Sequence, residues 1–133
     1  MLRVAAMGLV VIMLATAVAA SAQRGAINQT ANVKQIALQK VDVPESSYEV
    51  RFDIMEISPG AVARHTHPGP TLVYVLEGGF TLLMDGYPSR SFKAGDSFVE
   101  PAGVVHEGYG DGPTKIMVVF IVPRGQPLVT PAP

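Results

Sequence analysis

The clearest alternation in the chain runs over residues 48–54, where Tyr48, Val50, Phe52 and Ile54 fall on one side and Glu49, Arg51 and Asp53 on the other. That is the pattern of a half-buried strand with its apolar side facing inward. Residues 33–43 carry a looser version, with Val33, Ile36, Leu38, Val41 and Val43 among polar neighbours, as expected of a strand with a bulge. Further short strands are predicted over 61–67, 71–76, 80–84, 87–93, 97–100, 104–108 and 114–122. Between them stand Pro59-Gly60, Pro68-Gly69-Pro70, Gly78-Gly79, Asp85-Gly86, Gly95-Asp96 and Pro101-Ala102-Gly103. Proline removes a ladder donor and glycine permits the reversal, so each cluster ends a strand, and Asp85-Gly86 is a strong hairpin signal. Many short strands with no helical period predict an all-β sandwich or barrel.

Two strands depart from simple alternation. In 71–76, Thr71, Val73 and Val75 alternate with Leu72, Tyr74 and Leu76; in 114–122, Ile116, Val118 and Phe120 alternate with Met117, Val119 and Ile121. Both faces are largely apolar, whereas an antiparallel sheet with one wet face should alternate apolar with polar. The outer faces are therefore expected to be covered, and in a domain this small a homodimer is the economical cover.

At 133 residues and 48% apolar content the chain has room for one domain with one core. Its first 22 residues read differently: a basic start at Arg3, an apolar run over 4–20, and Ala20-Ser21-Ala22 as a small-x-small cleavage signature. This is a signal peptide, and at 17 residues the run is short of the roughly 20 that a membrane span requires. The expected product is periplasmic or secreted and keeps no stable membrane anchor. A flexible lead-in over 23–32, a barrel over 33–122 and a Pro-rich tail over 123–133 complete the expected organisation. Cysteine is absent, so the fold gains nothing from disulfides. Loss of Arg3 leaves nine basic against eleven acidic residues, a balance that gives no support to nucleic-acid binding.

The chemistry concentrates in the three histidines. His65 and His67 are spaced i, i+2 in a predicted strand, so both imidazoles project from one face, and His106 follows the Pro101-Ala102-Gly103 turn. Three neutral imidazoles meeting from two strands make a site for a divalent transition metal. Residues 60–78 and 95–106 resemble the two sequence motifs of the cupin superfamily. His65, His67 and His106 stand at the positions of that family's three histidines. Gly95, Pro101, Gly103 and His106 match the second motif in full, and Gly60 stands one residue closer to His65 than the family pattern has it. The resemblance implies a double-stranded β-helix, or jelly-roll barrel, with a metal inside.

Thr71 occupies the position of the family's usual glutamate ligand, and Gly110 that of a common asparagine. The expected set of protein ligands is therefore three histidines, with the remaining positions open to water or substrate. Such a centre favours Fe, Ni, Cu or Zn over Mg or Ca and attracts anionic ligands. Three acids are candidate substitutes for the missing carboxylate. Glu107 points away from His106 by parity, and Glu77 lies about 20 Å along a strand from Thr71. Glu100 shares parity with His106 only if the intervening turn preserves it. Tyr74, Phe98, Tyr109 and Phe120 are candidates to line a cavity or to pack the core.

Two functions follow. One is a metal-dependent oxidoreductase, a dioxygenase acting on a small organic substrate, as in cupin-related oxygenases with three-histidine centres. The other is a non-catalytic module that binds a small anion or sugar with the help of the metal. A sugar-nucleotide epimerase fits poorly, because export removes the substrate and no acid–base pair is identifiable.

Overall fold

In the computed structural model of the protein, residues 28–30 and 32–133 are described, and the expected signal peptide lies outside them. Among the described residues eleven strands run in the order β1 (Asn28–Thr30), β2 (Val33–Asp42), β3 (Tyr48–Ile57), β4 (Gly60–Thr66), β5 (Thr71–Glu77), β6 (Gly79–Met84), β7 (Arg90–Lys93), β8 (Ser97–Glu100), β9 (His106–Gly110), β10 (Thr114–Pro123) and β11 (Thr130–Pro131). One sheet has the order β1-β2-β3-β10-β5-β8 and the other β11-β4-β9-β6-β7, and every pairing is antiparallel. Among the described residues no helix is long and apolar enough to cross a membrane.

The two sheets face each other across a core that includes Val73, Val75, Leu82, Val118 and Phe120. Phe80, Phe92 and Phe98 close the seam between the β7 and β8 edges. The Phe92 and Phe98 rings stack at 4.3 Å, and Phe80 stacks on Phe98 at 6.0 Å. Such close aromatic pairs add to the area they bury. The expected bulge in β2 falls between Ala37 and Gln39. The Asp85-Gly86 turn closes β6 with Tyr87 N–H donating to Met84 O at 3.0 Å.

The faces of β3 are reversed from the expectation. Register pairs Asp53 with Val118 and Ile57 with Thr114, so odd-numbered residues of β3 share the inner face with even-numbered residues of β10. Glu49 and Asp53 are buried at 4% and 0% exposure, while Tyr48 stands out at 43%. The inward acids survive because each has a polar partner: Lys40 Nζ lies 2.7 Å from Glu49 Oε2, and Gln35 Nε2 donates to Asp53 Oδ2. A half-buried strand can thus turn its polar side inward when the neighbouring strand brings the complement and its apolar side has another use. That outer side continues over the sheet as Leu72, Tyr74, Leu76 and Val99, all exposed.

The ends of the barrel also hold more chain than the sequence pattern indicated. Within the expected lead-in, Asn28–Thr30 pairs with β2, Asn28 opposite Gln35. The Pro-rich tail turns at Gly125 and returns as β11, with Thr130 opposite Thr66 and Pro131 opposite His65.

Burial raises the carboxyl pKa of Asp53 above its ordinary value of 3.8, against the opposing pull of the Gln35 hydrogen bond and the Arg51 charge. The folded protein therefore holds this proton more tightly than the unfolded chain does. The group's contribution to stability falls as pH rises from about 4 through the folded pKa. Asn at position 53 keeps an acceptor for Gln35 and cannot ionise. Urea denaturation of Asp53→Asn and wild type at about pH 4 and about pH 7 should show the variant gaining on wild type as pH rises; parallel curves would refute this.

Candidate metal centre

His65 ends in β4, His67 follows one residue past it, and His106 opens β9 directly opposite His65 in the ladder. The Pro101-Ala102-Gly103 turn delivers the third histidine. Gly103 takes φ 72°, a conformation that suits glycine, and its N–H donates to His67 O at 2.9 Å. The three ring centroids lie 4.3 to 5.0 Å apart, and one ligand atom from each ring falls within 4.8 Å of the others.

Each ring is oriented by a backbone carbonyl. His65 Nδ1 bonds Ala63 O at 2.7 Å, His67 Nδ1 bonds Leu128 O at 2.6 Å, and His106 Nδ1 bonds Val104 O at 2.9 Å. A carbonyl oxygen can only accept, so all three Nδ1 atoms carry the hydrogen. In the neutral ring this leaves the Nε2 lone pair free. Burial, the largest cause, lowers the pKa of His65, and the neighbouring imidazoles push the same way against the Ala63 hydrogen bond. That keeps the imidazole in the form that can ligate.

Against these nitrogens lies the buried carboxylate of Glu100. Its Oε2 is 3.3 Å from His67 Nε2 and 3.5 Å from His106 Nε2. Ligands held about 2.0–2.2 Å from one ion are about 3.0–3.4 Å apart at right-angle to tetrahedral separations, so both contacts are close to the edge of a coordination polyhedron. Three imidazole nitrogens and a carboxylate suit a divalent transition metal.

The other residues singled out in the sequence take varied places. Thr71 is fully buried, its Oγ1 without a hydrogen-bond partner among the described residues, directly opposite Glu100 on β8. Phe120 lines the cavity with its ring 5.2 Å from His67. Phe98 is buried in the phenylalanine cluster, and Tyr74 and Tyr109 stand on outer faces at 39% and 43% exposure. The inward positions next to them belong to Val73 and Gly108. Glu107 pairs with Arg64 at 3.6 Å, and Glu77 pairs with Lys115 at 3.2 Å at the surface. Gly110 has a packing reason: a Cβ there would lie 2.8 Å from Gly112 O and 2.9 Å from Thr114 Oγ1.

The histidines open into a cavity of about 250 Å³ between the sheets. Its wall is mostly aliphatic and aromatic, with Met55, Val62, Leu82, Ile116 and Phe120 among its members, and its few polar groups include Gln35, Arg64 and Glu100. Val129 and Pro131 of the tail complete the wall. Arg64 ties the rim together, with Nε donating to Pro133 O at 2.8 Å and Nη2 to both oxygens of Asp85 at 2.9 and 3.1 Å. The tail's role had no signal in hydrophobic period, because a two-residue strand is too short to display one.

A family model described as a cupin domain matches residues 53–122, which include all three histidines. Germin-like protein subfamily 2 member 1 of Arabidopsis thaliana is 37% identical over 79 residues. The match covers 53% of this chain and 36% of that protein, so the chain spans about a third of its relative's length. Among solved structures, an RmlC-like cupin from Shewanella frigidimarina superposes with a TM-score of 0.60 at 20% identity, covering 77% of this chain and 87% of that one. A cupin superfamily protein from Desulfitobacterium hafniense gives 0.58 at 20% identity, with 71% and 82% covered. At these identities the likeness is one of fold.

The tautomers can be read directly. In metal-free protein, ¹⁵N NMR should give the Nδ1–H signature for all three rings. Deleting residues 128–133 removes the acceptor of His67 alone. That ring should then shift toward Nε2–H, with Glu100 as its new acceptor, while the other two stay unchanged. An unchanged His67 would mean that Leu128 does not set its tautomer.

Proposed function

As the chain belongs to the cupin family, we propose that it is an exported metal-dependent oxidoreductase of the dioxygenase type, acting on a small and mostly apolar organic molecule. The observation that carries this reading is the convergence of three Nε2 lone pairs, each fixed by a carbonyl on the far side of its ring, at one end of an apolar cavity. His65, His67 and His106 would hold Fe, Ni, Cu or Zn. When bound, a redox-active divalent ion supplies electrons and open positions where O₂ and a substrate oxygen or sulfur can meet.

The chain's own residues define the substrate. An engineered apolar cavity of about 150 Å³ holds benzene, so about 250 Å³ admits a substituted ring or a short branched chain. Phe120, Ile116, Val118 and Leu82 pack its body and keep water from the reacting end. The sugar-binding alternative is weaker, since a sugar would leave several hydroxyls facing aliphatic wall without partners. Export rests on the leader-like first 22 residues.

Elemental analysis of protein purified from its native compartment should find about one transition-metal ion per chain, and His106→Ala should lose it. Iron- or nickel-loaded protein should consume O₂ with at least one member of a panel of phenols, enols, diketones and thiols. Metal without turnover, together with a raised melting temperature on adding panel members, would favour the binding-module alternative. Wild type without metal would reject both.

We also read the apolar outer face of the six-stranded sheet as the contact between two copies of the chain. Leu72, Tyr74, Leu76 and Val99 are exposed there, and the Lys34–Glu56 and Lys115–Glu77 pairs stand near one end. A two-fold dimer lets one such face cover another. Light scattering should give twice the protomer mass, and a Leu72→Lys/Val99→Lys variant should be monomeric. A wild-type monomer at micromolar concentration would reject the dimer.

A further inference from the structure

We propose that Glu100 is the fourth protein ligand of this centre, its carboxylate arriving from β8 to take the place that Thr71 on β5 leaves unfilled. This rests on the three-histidine metal reading. The register carries it. Thr71 and Glu100 are directly opposed in the β5–β8 ladder, and opposed residues of an antiparallel pair carry their side chains on the same face with Cβ atoms about 4.5–5.5 Å apart. A carboxylate on a two-methylene stem at position 100 can therefore reach the point that one at position 71 would reach. A long side chain at 71 would compete for that space. The short, fully buried threonine leaves it free, and among the described residues its own hydroxyl has no partner.

The donor count points the same way. With every Nδ1 committed to a carbonyl, each ring has only its Nε2 left for the cavity, and among the described residues the buried His106 Nε2 has no hydrogen-bond partner. Glu100 adds the acceptor Oε2 at 3.3 and 3.5 Å from two of them. Lone pairs at that separation in a desolvated site repel unless a proton or a cation lies between them. A metal ion held between Oε2 and these two nitrogens relieves both contacts at once. The carboxylate also lowers the net charge of the centre by one, which shifts its preference toward harder ions such as Mn(II) and Fe(II).

The test titrates metal-free, full-length protein with Mn(II), following the loss of the free-ion EPR signal. A metal-minus-apo infrared difference spectrum is recorded on the same samples. Glu100→Gln should bind at least tenfold more weakly than wild type. Wild type should show displaced carboxylate stretching bands on metal binding that Glu100→Gln lacks. Wild-type affinity in Glu100→Gln overturns the proposal, and so does a wild-type spectrum without carboxylate bands, whether or not the variant folds. His106→Ala separates the two levels. If wild type binds no metal, or His106→Ala binds as wild type does, the three-histidine reading fails and this proposal fails with it. If His106→Ala loses the ion while Glu100→Gln keeps it, only the role of Glu100 is refuted.

Discussion

Three hydrogen bonds from imidazole Nδ1 to backbone carbonyls are the constraint on which the centre depends. Two of the acceptors are local: Ala63 and Val104 each lie two residues before the histidine they hold, so the strand that presents the ring also orients it. The third is Leu128, 61 residues from His67. The same short segment that supplies this carbonyl pairs with β4 and walls the cavity, so closing the mouth and setting one ligand's tautomer are a single structural event. A histidine with a free Nδ1 would divide its population between tautomers, and only part of it would offer Nε2 to the cavity.

The barrel divides its polar and apolar groups unevenly. The interior near His67 is lined by aliphatic and aromatic side chains, which raise the strength of any electrostatic contact made there. Elsewhere on the inner face, β2 and β3 place Gln35, Glu49, the half-buried Arg51 and Asp53, with Gln35 bonded to Asp53 and Lys40 paired with Glu49, and the apolar positions of β3 turn outward. This arrangement costs desolvation of the acids, visible in the raised pKa of Asp53, and it leaves an outer sheet face that water solvates poorly.

Much of this was legible from residue order. The strands, the β2 bulge and the Asp85-Gly86 hairpin follow from period and turn chemistry, and the histidine trio follows from i, i+2 spacing and the motif around Gly103. What escaped depends on pairing, which a single sequence does not encode locally. Alternation in β3 gives two faces without saying which one meets β10, and the register turns the polar one inward. Glu100 stayed ambiguous because its relation to the histidines runs through the ladder to Thr71 and around a turn of uncertain parity. Tyr74 and Tyr109 differ from their inward neighbours by a single step along the strand, and one step exchanges wall for surface. The tail offered only prolines and a two-residue strand, below the length at which a period exists.

The span between His67 and Leu128 also fixes an order of assembly. His65 and His67 leave the ribosome long before His106, and the carbonyl that orients His67 comes later still. A nascent chain can present at most a bidentate pair of histidines with one ring free to turn, a weak and unselective chelator. All three rings are oriented together only after β11 has docked, so on the proposed metal reading the last segment to be made would also be the one that completes the site.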